Sequence, residues 1–327
     1  MKYGLGKGWM GILFAVLKII NFGFAYNSVQ CNTICQAWQI AFGIEPATMG
    51  IVLTVLTLLI IFGGIQRVAK FSSTVVPVMA VVYLLIAVGV VIWNITSLPK
   101  VLLAIVENAF GFNQAAGGVL GVTVIQGIKR GLFSNEAGEG SAPNAAAVAT
   151  VSHPVKQGLI QALGVFTDTL VVCSCTAFII LVSGVDVTAS NGIQLTQDAL
   201  THEIGSIGNP FVAVMICLFA FSSIIGNYYY GETNVRYIRD SKLGVFIYRL
   251  AVAAMVMVGA VVSLDFAWSF ADITMALLTL CNLVAIVLLS RQAVFLLQDY
   301  RQQKKEGKNP VFCKDKMPEI ADKLEAW

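Results

Sequence analysis

The chain has 327 residues, of which 57% are hydrophobic and 12% charged, and a formal net charge of +3; soluble domains carry roughly a quarter charged residues. A single water-soluble domain is excluded, because a chain of mean hydropathy +0.79 lacks the polar surface to face water on every side. The 21 Lys and Arg residues fall in short connectors and the tail rather than along one face, which argues against nucleic acid as a partner.

In chain order, Lys2 and Lys7 precede an apolar stretch with no small-residue cleavage site after it, so the stretch reads as a retained span and not as a signal peptide. Eight segments are then long enough to cross a hydrocarbon core that takes about 20 helical residues: 11 to 42, 48 to 66, 75 to 95, 119 to 150, 157 to 184, 208 to 233, 245 to 263 and 270 to 297. Residues 1–297 thus form one transmembrane domain of an all-α, polytopic protein, and 298–327 read as a solvated cytoplasmic tail. One side of the membrane receives Lys2 and Lys7, Arg67 and Lys70, Lys156, Arg236, Arg239 and Lys242, and the tail with Arg301, Lys304, Lys305 and Lys308. The other receives Glu45, Lys100 with Glu107, Asp186, Asp198, His202 and Glu203, and Asp265. The positive-inside rule places both termini in the cytoplasm.

The connector from Thr96 to Gly118 carries Leu102, Leu103, Ile105, Val106 and Phe110. That pattern suits a short amphipathic helix on the outer surface, and a plain loop fits the periodicity equally well. Asn94-Ile95-Thr96 matches a glycosylation sequon and carries no weight beside a span. Seven cysteines without C-x-x-C spacing read as packing thiols, and His153 and His202, apparently on opposite sides, assemble neither a metal site nor a nucleophile and base. An enzyme is not expected. Tyr228, Tyr229 and Tyr230 read as interfacial aromatic anchors.

The fourth span carries the chemistry. Its middle holds Gly131, Gly138, Gly140 and Pro143 around Glu136 and Glu139, and glycine and proline cost about 1 and 3 kcal/mol in a helix interior. A broken helix near 131–143 is predicted, with half-helices over 119–128 and 145–151. Unpaired backbone at that depth is tolerated where it lines a cavity or binds something. Half-helix N–H groups suit a carboxylate, and freed carbonyls suit sodium or an ammonium group. Lys129 and Arg130 are the available counter-charges for the two carboxylates. A re-entrant loop, or glycines closing a helix pair with Glu136 and Glu139 in a wet connector, remains open on composition.

The run Gly131-Leu132-Phe133-Ser134-Asn135-Glu136-Ala137-Gly138-x-Gly140-Ser141-Ala142-Pro143 resembles the signature of the sodium:alanine/glycine symporter family of amino-acid carriers. Tyr3-Gly4-Leu5-Gly6-Lys7, Asn27-Ser28-Val29-Gln30-x-Asn32, Asp168-Thr169 with Val172-Cys173, Asn227-Tyr228-x-Tyr230-x-Glu232 and Glu306-Gly307-Lys308-x-Pro310-Val311-Phe312 are similar to the same family, so the likeness covers essentially the whole chain. The resemblance implies the leucine-transporter-type inverted-repeat fold, with the broken span as the sixth core helix and the first span as the third. The chain then comprises core helices three to ten and reads as truncated at its amino end, with part of the site supplied by the two earlier helices.

What the resemblance implies functionally is sodium-coupled symport of alanine or glycine across the cell membrane, with sodium as coupling ion and no other cofactor. A channel-like pore, or a fragment or accessory subunit that does not transport alone, are the other functions kept. Carried over residue by residue, the substrate site takes Phe133, Ser134, Asn135, Gln30, Ser223 and Asn227, with Phe133 covering a small side chain. Ser222 and Ser223 are the sodium candidates, and Glu136, Gly138, Gly140 and Asp168 support the site. Gln30, in a polar stripe with Asn27, Ser28, Asn32 and Thr33, could equally serve interhelical hydrogen bonding. Serine hydroxyls in helices commonly bond their own preceding carbonyls. Some members of the family place Trp at the position of Asn227, and Asn implies a roomier, more polar pocket. Asp168 is expected either to bond the broken helix or to lie near water.

Overall fold

The computed structural model describes residues 1–63, 65–109, 117–318 and 321. Helices and turns account for the ordered elements, and no strand occurs among the described residues. A short α1 (Lys2–Leu5) leads through Gly6, at φ 66°, into α2 (Gly8–Lys18). Helix α2 continues through a π-helical stretch, Ile19–Ala25, into α3 (Tyr26–Phe42) as one rod of 35 residues. Gly43, at φ 68°, caps it in the left-handed conformation that a residue with Cβ adopts only at a cost. Glu45 is extended and Pro46 occupies the first turn of α4 (Pro46–Ile61), where its missing N–H would be unpaired in any case.

Helix α5 (Ile65–Trp93) precedes α6 (Leu98–Ala109). The open alternative for the connector therefore resolves as a helix. Its Leu102, Leu103, Ile105 and Val106 are exposed, as an interfacial helix requires, while the expected Phe110 lies outside the described residues. After α7 (Gly117–Asn135) and a five-residue α8 (Ala142–Ala146), α9 (Pro154–Thr167) runs through a second π stretch, Asp168–Cys173, into α10 (Ser174–Val182). The remaining helices are α11 (Gly192–Ile204), α12 (Gly208–Ile238), α13 (Lys242–Val261) and α14 (Leu264–Lys305). Ser241 and Ser263 start the last two by accepting the amides of Gly244 and Phe266 at 3.4 and 3.3 Å.

Among the described residues, 6 helices are long and apolar enough to cross a membrane. Each of the eight expected segments carries helix among its described residues, but two fall short of a full crossing as single rods. Helix α4 has 16 residues, about 24 Å at 1.5 Å per residue, and the fourth span is interrupted. The surface is reversed relative to a soluble protein: Trp93 is 85% and Val287 69% exposed, while Asn21, Asn27, Ser28 and Gln197 are sealed inside. Lipid is the solvent for such an exterior, so this is a multi-pass membrane protein.

The densest packing sets α3 against α12 and α13, and α13 against α4. Small residues make it possible. A Cβ on Gly259 would lie 2.6 Å from the Ser28 Cα, and one on Gly50 would lie 2.4 Å from the Ala260 Cβ, so the helix backbones meet directly as membrane helices do at small-residue contacts. Tyr228 is buried there, stacked on Tyr248 and accepting from the Arg249 Nε at 3.0 Å. The expectation of an interfacial anchor is corrected for this residue, because Tyr248 and Arg249 of α13 give its ring and hydroxyl partners inside the bundle.

The tail differs from the solvated segment expected of it. Helix α14 persists to Lys305, and the Phe312 ring is buried. The Phe312 amide donates to the Ser152 carbonyl at 2.9 Å, and the Ser152 hydroxyl returns a bond to the Pro310 carbonyl at 3.0 Å. Asp299 gathers His153, Gln303 and Lys316 at 3.2, 2.9 and 2.5 Å. Polar partners on the loop before α9 fasten the tail there.

Candidate substrate and ion site

The break sits where the glycines place it, one turn later than its chemistry suggested. Helix α7 runs through Phe133, Ser134 and Asn135 to its end, so these three residues form its last turn and are not unwound. The last carbonyls of a helix nonetheless lack intrahelical partners. Glu136 then turns left-handed at φ 50°, followed by Gly138 at φ 84° and Gly140 at φ 72°. Gly140 is required twice over, because a Cβ there would also lie 2.8 Å from the Phe14 ring and 2.9 Å from the Asn282 Oδ1. The second half-helix is α8, shorter and earlier than the expected 145–151, since Pro143 starts it and turns follow from Ala147.

Side chains from three directions hold the unwound segment. The Asn282 amide donates to the Gly138 carbonyl at 2.7 Å. Glu139 is fully buried, its two carboxylate oxygens accepting from the Tyr26 hydroxyl at 2.6 Å and the Asn21 amide at 3.2 Å. Asn21 in turn accepts from the Thr274 hydroxyl at 2.7 Å. Lys18 lies in the same region, its Nζ enclosed between the rings of Phe14, Phe22 and Tyr230 at 5.0–5.4 Å from their centroids. Ring faces attract a desolvated ammonium.

Lys129 and Arg130 are not the counter-charges of these carboxylates. Both pair with Asp272 of α14, at 3.3 and 2.5 Å, because they lie one to two turns before the break and on another face. The Arg130 guanidinium also stacks 4.0 Å from the Trp268 ring centroid. Trp268 packs on Phe133 at 4.7 Å, and Phe133 on Tyr26 at 4.5 Å. An aromatic row therefore runs from the Asp272 ion pairs to Glu139, with Phe133 in its centre.

Ser134 and Asn135 point elsewhere. The Ser134 hydroxyl donates to Asp168 Oδ2 at 2.6 Å, and the Asn135 Oδ1 accepts from Thr169 at 2.7 Å, both partners lying in the π stretch after α9. Asp168 thus supports the broken helix through a side chain. Asn227 donates to Asn27 at 3.2 Å inside the bundle. Ser222 and Ser223 both donate to the Phe219 carbonyl, at 2.7 and 3.2 Å, which leaves only their oxygen lone pairs for an ion. Gln30 is half-buried and has no hydrogen bond among the described residues. The structure so joins Phe133 to Tyr26, Ser134 and Asn135 to the Asp168 stretch, and Asn227 to Asn27. It leaves Gln30 free.

Lys18, Asn21, Tyr26, Trp268, Asp272 and Thr274 were not anticipated. Lys18 and Asp272 carried a legible signal, a lone charge inside an apolar run. The others became visible only with packing. No group of three His, Cys, Asp or Glu side chains that could hold a metal occurs among the described residues, and the cysteines are free thiols. A cavity of about 480 Å³ lies beside the break, lined by Phe14, Gly140, Pro143, Asn144 and Asn282 among others.

Residues 1–314 match the sodium:alanine symporter family. Among curated proteins, the chain is 54% identical to the Probable sodium/glutamine symporter GlnT of Bacillus subtilis, over 96% of its own length and 66% of that protein's. It is 51% identical to the Amino-acid carrier protein AlsT of the same organism, over 100% and 70%. It is 35% identical to the Sodium/alanine symporter AgcS of Methanococcus maripaludis, over 94% and 68%. The chain spans about two thirds of the length of these relatives.

Proposed function

The chain belongs to the sodium:alanine symporter family, a family of carriers and not of enzymes, and from that premise we propose sodium-coupled uptake of alanine or glycine across the cell membrane, with both termini cytoplasmic. The observation that carries this is the aromatic row ending at the break: Phe133, between Tyr26 and Trp268 at 4.5 and 4.7 Å, opens the last helical turn before the unwound backbone. A ring there covers a small side chain while the helix-end carbonyls face an ammonium group. Gln30, Ser223 and Asn227 supply the other polar contacts of the pocket, and Ser134 and Asn135, bonded to Asp168 and Thr169, fix the helix end that carries Phe133. The lone pairs of Ser222 and Ser223 supply oxygen to sodium, and Glu136, Gly138, Gly140 and Asp168 keep the break open.

A larger amide substrate is the second reading, favoured by the paired amides of Asn27 and Asn227, which match an amide side chain, and in keeping with the glutamine relative. Uptake of labelled alanine, glycine and glutamine into proteoliposomes under an imposed sodium gradient separates them. Phe133→Ala is expected to weaken alanine uptake about tenfold in kcat/KM, about 1.4 kcal/mol, with Asn135→Ala impairing it as well. Unaltered saturable uptake in both variants removes these residues from the site. Conductance that ignores the sodium gradient would make the protein a channel.

A further inference from the structure

The tail folds back along the helix it leaves. Val311 exchanges two hydrogen bonds with the Gln303 side chain, at 3.0 Å each. Farther along the tail, Lys316 meets Asp299, one turn earlier on α14, at 2.5 Å. The buried Phe312 ring, 5.8 Å from the His153 ring, pins the segment between them. This return brings Lys316, Met317 and Pro318 to Arg291, Gln292 and Phe295 of α14, and the six residues line a cavity of about 190 Å³.

Helix α14 sets the depth of this cavity in the bilayer. Its Leu280, Val284, Val287 and Leu288 form an exposed apolar stripe at the spacing of one helix face, and Arg291, also exposed, continues that stripe. Residues 273–290 carry no charge, a run of about 27 Å at 1.5 Å per residue against a hydrocarbon core of about 30 Å. Arg291 therefore stands at headgroup level. Its guanidinium has neither an ion pair nor a hydrogen bond among the described residues. Arg291 and Lys316 bring two positive charges to the cavity, and Asp299, bonded to Lys316, offsets one. His153 adds none, because its Nδ1 accepts the Val155 amide while its Nε2 faces Asp299. One positive charge is left over.

We propose that this cavity binds the headgroup of an anionic phospholipid, whose singly charged phosphodiester bridges Arg291 of α14 to Lys316 of the tail. A guanidinium presents paired donors to phosphate oxygens, the Lys316 ammonium adds a point charge, and the Gln292 amide adds a neutral donor. Phe295, Met317 and Pro318 supply apolar wall, and the exposed stripe below Arg291 receives the acyl chains. A zwitterionic lipid fits less well, because its own ammonium would join an uncompensated cation. Arg301, Lys304 and Lys305 lie farther along α14 and outside the cavity, so this site is separate from the general pull of a basic segment on an anionic leaflet. Binding here follows from the lipid-facing exterior and the docked tail, whatever solute the protein carries.

Native mass spectra of the full chain in detergent, titrated with phosphatidylglycerol, phosphatidylcholine or inorganic phosphate, test the site. One phosphatidylglycerol per chain should be retained at concentrations where phosphatidylcholine is not. Arg291→Gln should raise the half-saturating concentration about tenfold, as the loss of a charge-assisted contact does. Phe312→Ala, outside the cavity lining, should raise it comparably by unfastening the tail, and Lys304→Gln should leave it unchanged. Equal retention of the two lipids, unchanged retention in Arg291→Gln or Phe312→Ala, or an equal loss in Lys304→Gln each overturn the site. Inorganic phosphate that displaces the lipid makes this a site for the free anion and overturns the lipid assignment. Should Phe312→Ala not fold, Lys316→Gln must weaken retention, and no change overturns the bridge equally. Hydrogen exchange in nanodiscs reads the bridge directly. The Phe312 amide, bonded to the Ser152 carbonyl at 2.9 Å, should exchange more slowly in phosphatidylglycerol than in phosphatidylcholine, and equal rates overturn the bridge.

Discussion

The seam between α3, α12 and α13 and the break after α7 use the same kinds of residue to opposite ends. In the seam the polar groups are consumed. Asn32 donates to the Gly259 and Val262 carbonyls at 3.1 and 2.8 Å, Asn27 pairs with Asn227, and Ser28 lies directly on Gly259. At the break the backbone of Glu136 to Ser141 leaves the helix, among the described residues only the Gly138 carbonyl there has a side-chain donor, and ionisable groups gather around it. A polar residue inside the membrane is thus structural where another helix satisfies it. It becomes a site where the backbone beside it is free.

The largest expected effect breaks the seam. Gly259→Val puts a Cβ 2.6 Å from the Ser28 Cα and 2.8 Å from its carbonyl oxygen. Backbone cannot swing aside as a side chain can, so a loss of about 3 kcal/mol or more is expected, read as a collapse in monodisperse yield and thermal midpoint. Gly131→Ala on α7 is the control, because nothing lies within 4 Å of its Cβ and alanine favours a helix by about 1 kcal/mol. Equal midpoints for Gly259→Val and the native protein would show that the seam can spread. Next in size is Tyr26→Phe, which removes the shorter of the two donors to the buried Glu139 carboxylate. Leaving a buried partner short of its hydrogen bond costs about 1–3 kcal/mol, so the midpoint should fall while the stack on Phe133 survives. No change in midpoint would mean that Glu139 finds another donor and that the break is held less tightly than the seam.

The helical segments were legible because lipid imposes a length and a polarity on each. The location of the break was legible as well, since Gly138, Gly140 and Pro143 act through local backbone preference. Its edges were not: α7 continues to Asn135, where Ser134 and Asn135 meet Asp168 and Thr169, and Asn282 and Phe14 close around Gly140, all partners that lie far away in sequence. The ion pairing was misread for a related reason. Lys129 and Arg130 are sequence neighbours of Glu136, but a helix turns 100° per residue, and Asp272 stands on the face they present. Lys18 carries the opposite lesson, a lone charge whose enclosure takes Phe14 and Phe22 of its own rod and Tyr230, more than two hundred positions downstream. The tail resisted sequence reading because its hook rests on bonds to tail main chain, from the Ser152 hydroxyl to the Pro310 carbonyl and from the Phe312 amide to the Ser152 carbonyl, which composition does not encode.

The smallest expected effect decides whether the serines of α12 belong to the seam or to the site. The Ser222 hydroxyl donates to its own helix, to the Phe219 carbonyl at 2.7 Å, a local bond whose loss on Ser222→Ala is offset by alanine's better helix propensity. Stability should therefore stay within about 0.5 kcal/mol of the native protein. Sodium is the sharper readout. If a lone pair of Ser222 or Ser223 meets the ion, each alanine variant raises the half-saturating sodium concentration a few-fold while the alanine KM at saturating sodium holds. If sodium dependence is unchanged in both, the hydroxyls serve their helix alone, and the oxygen ligands must be sought among the carbonyls that the break sets free.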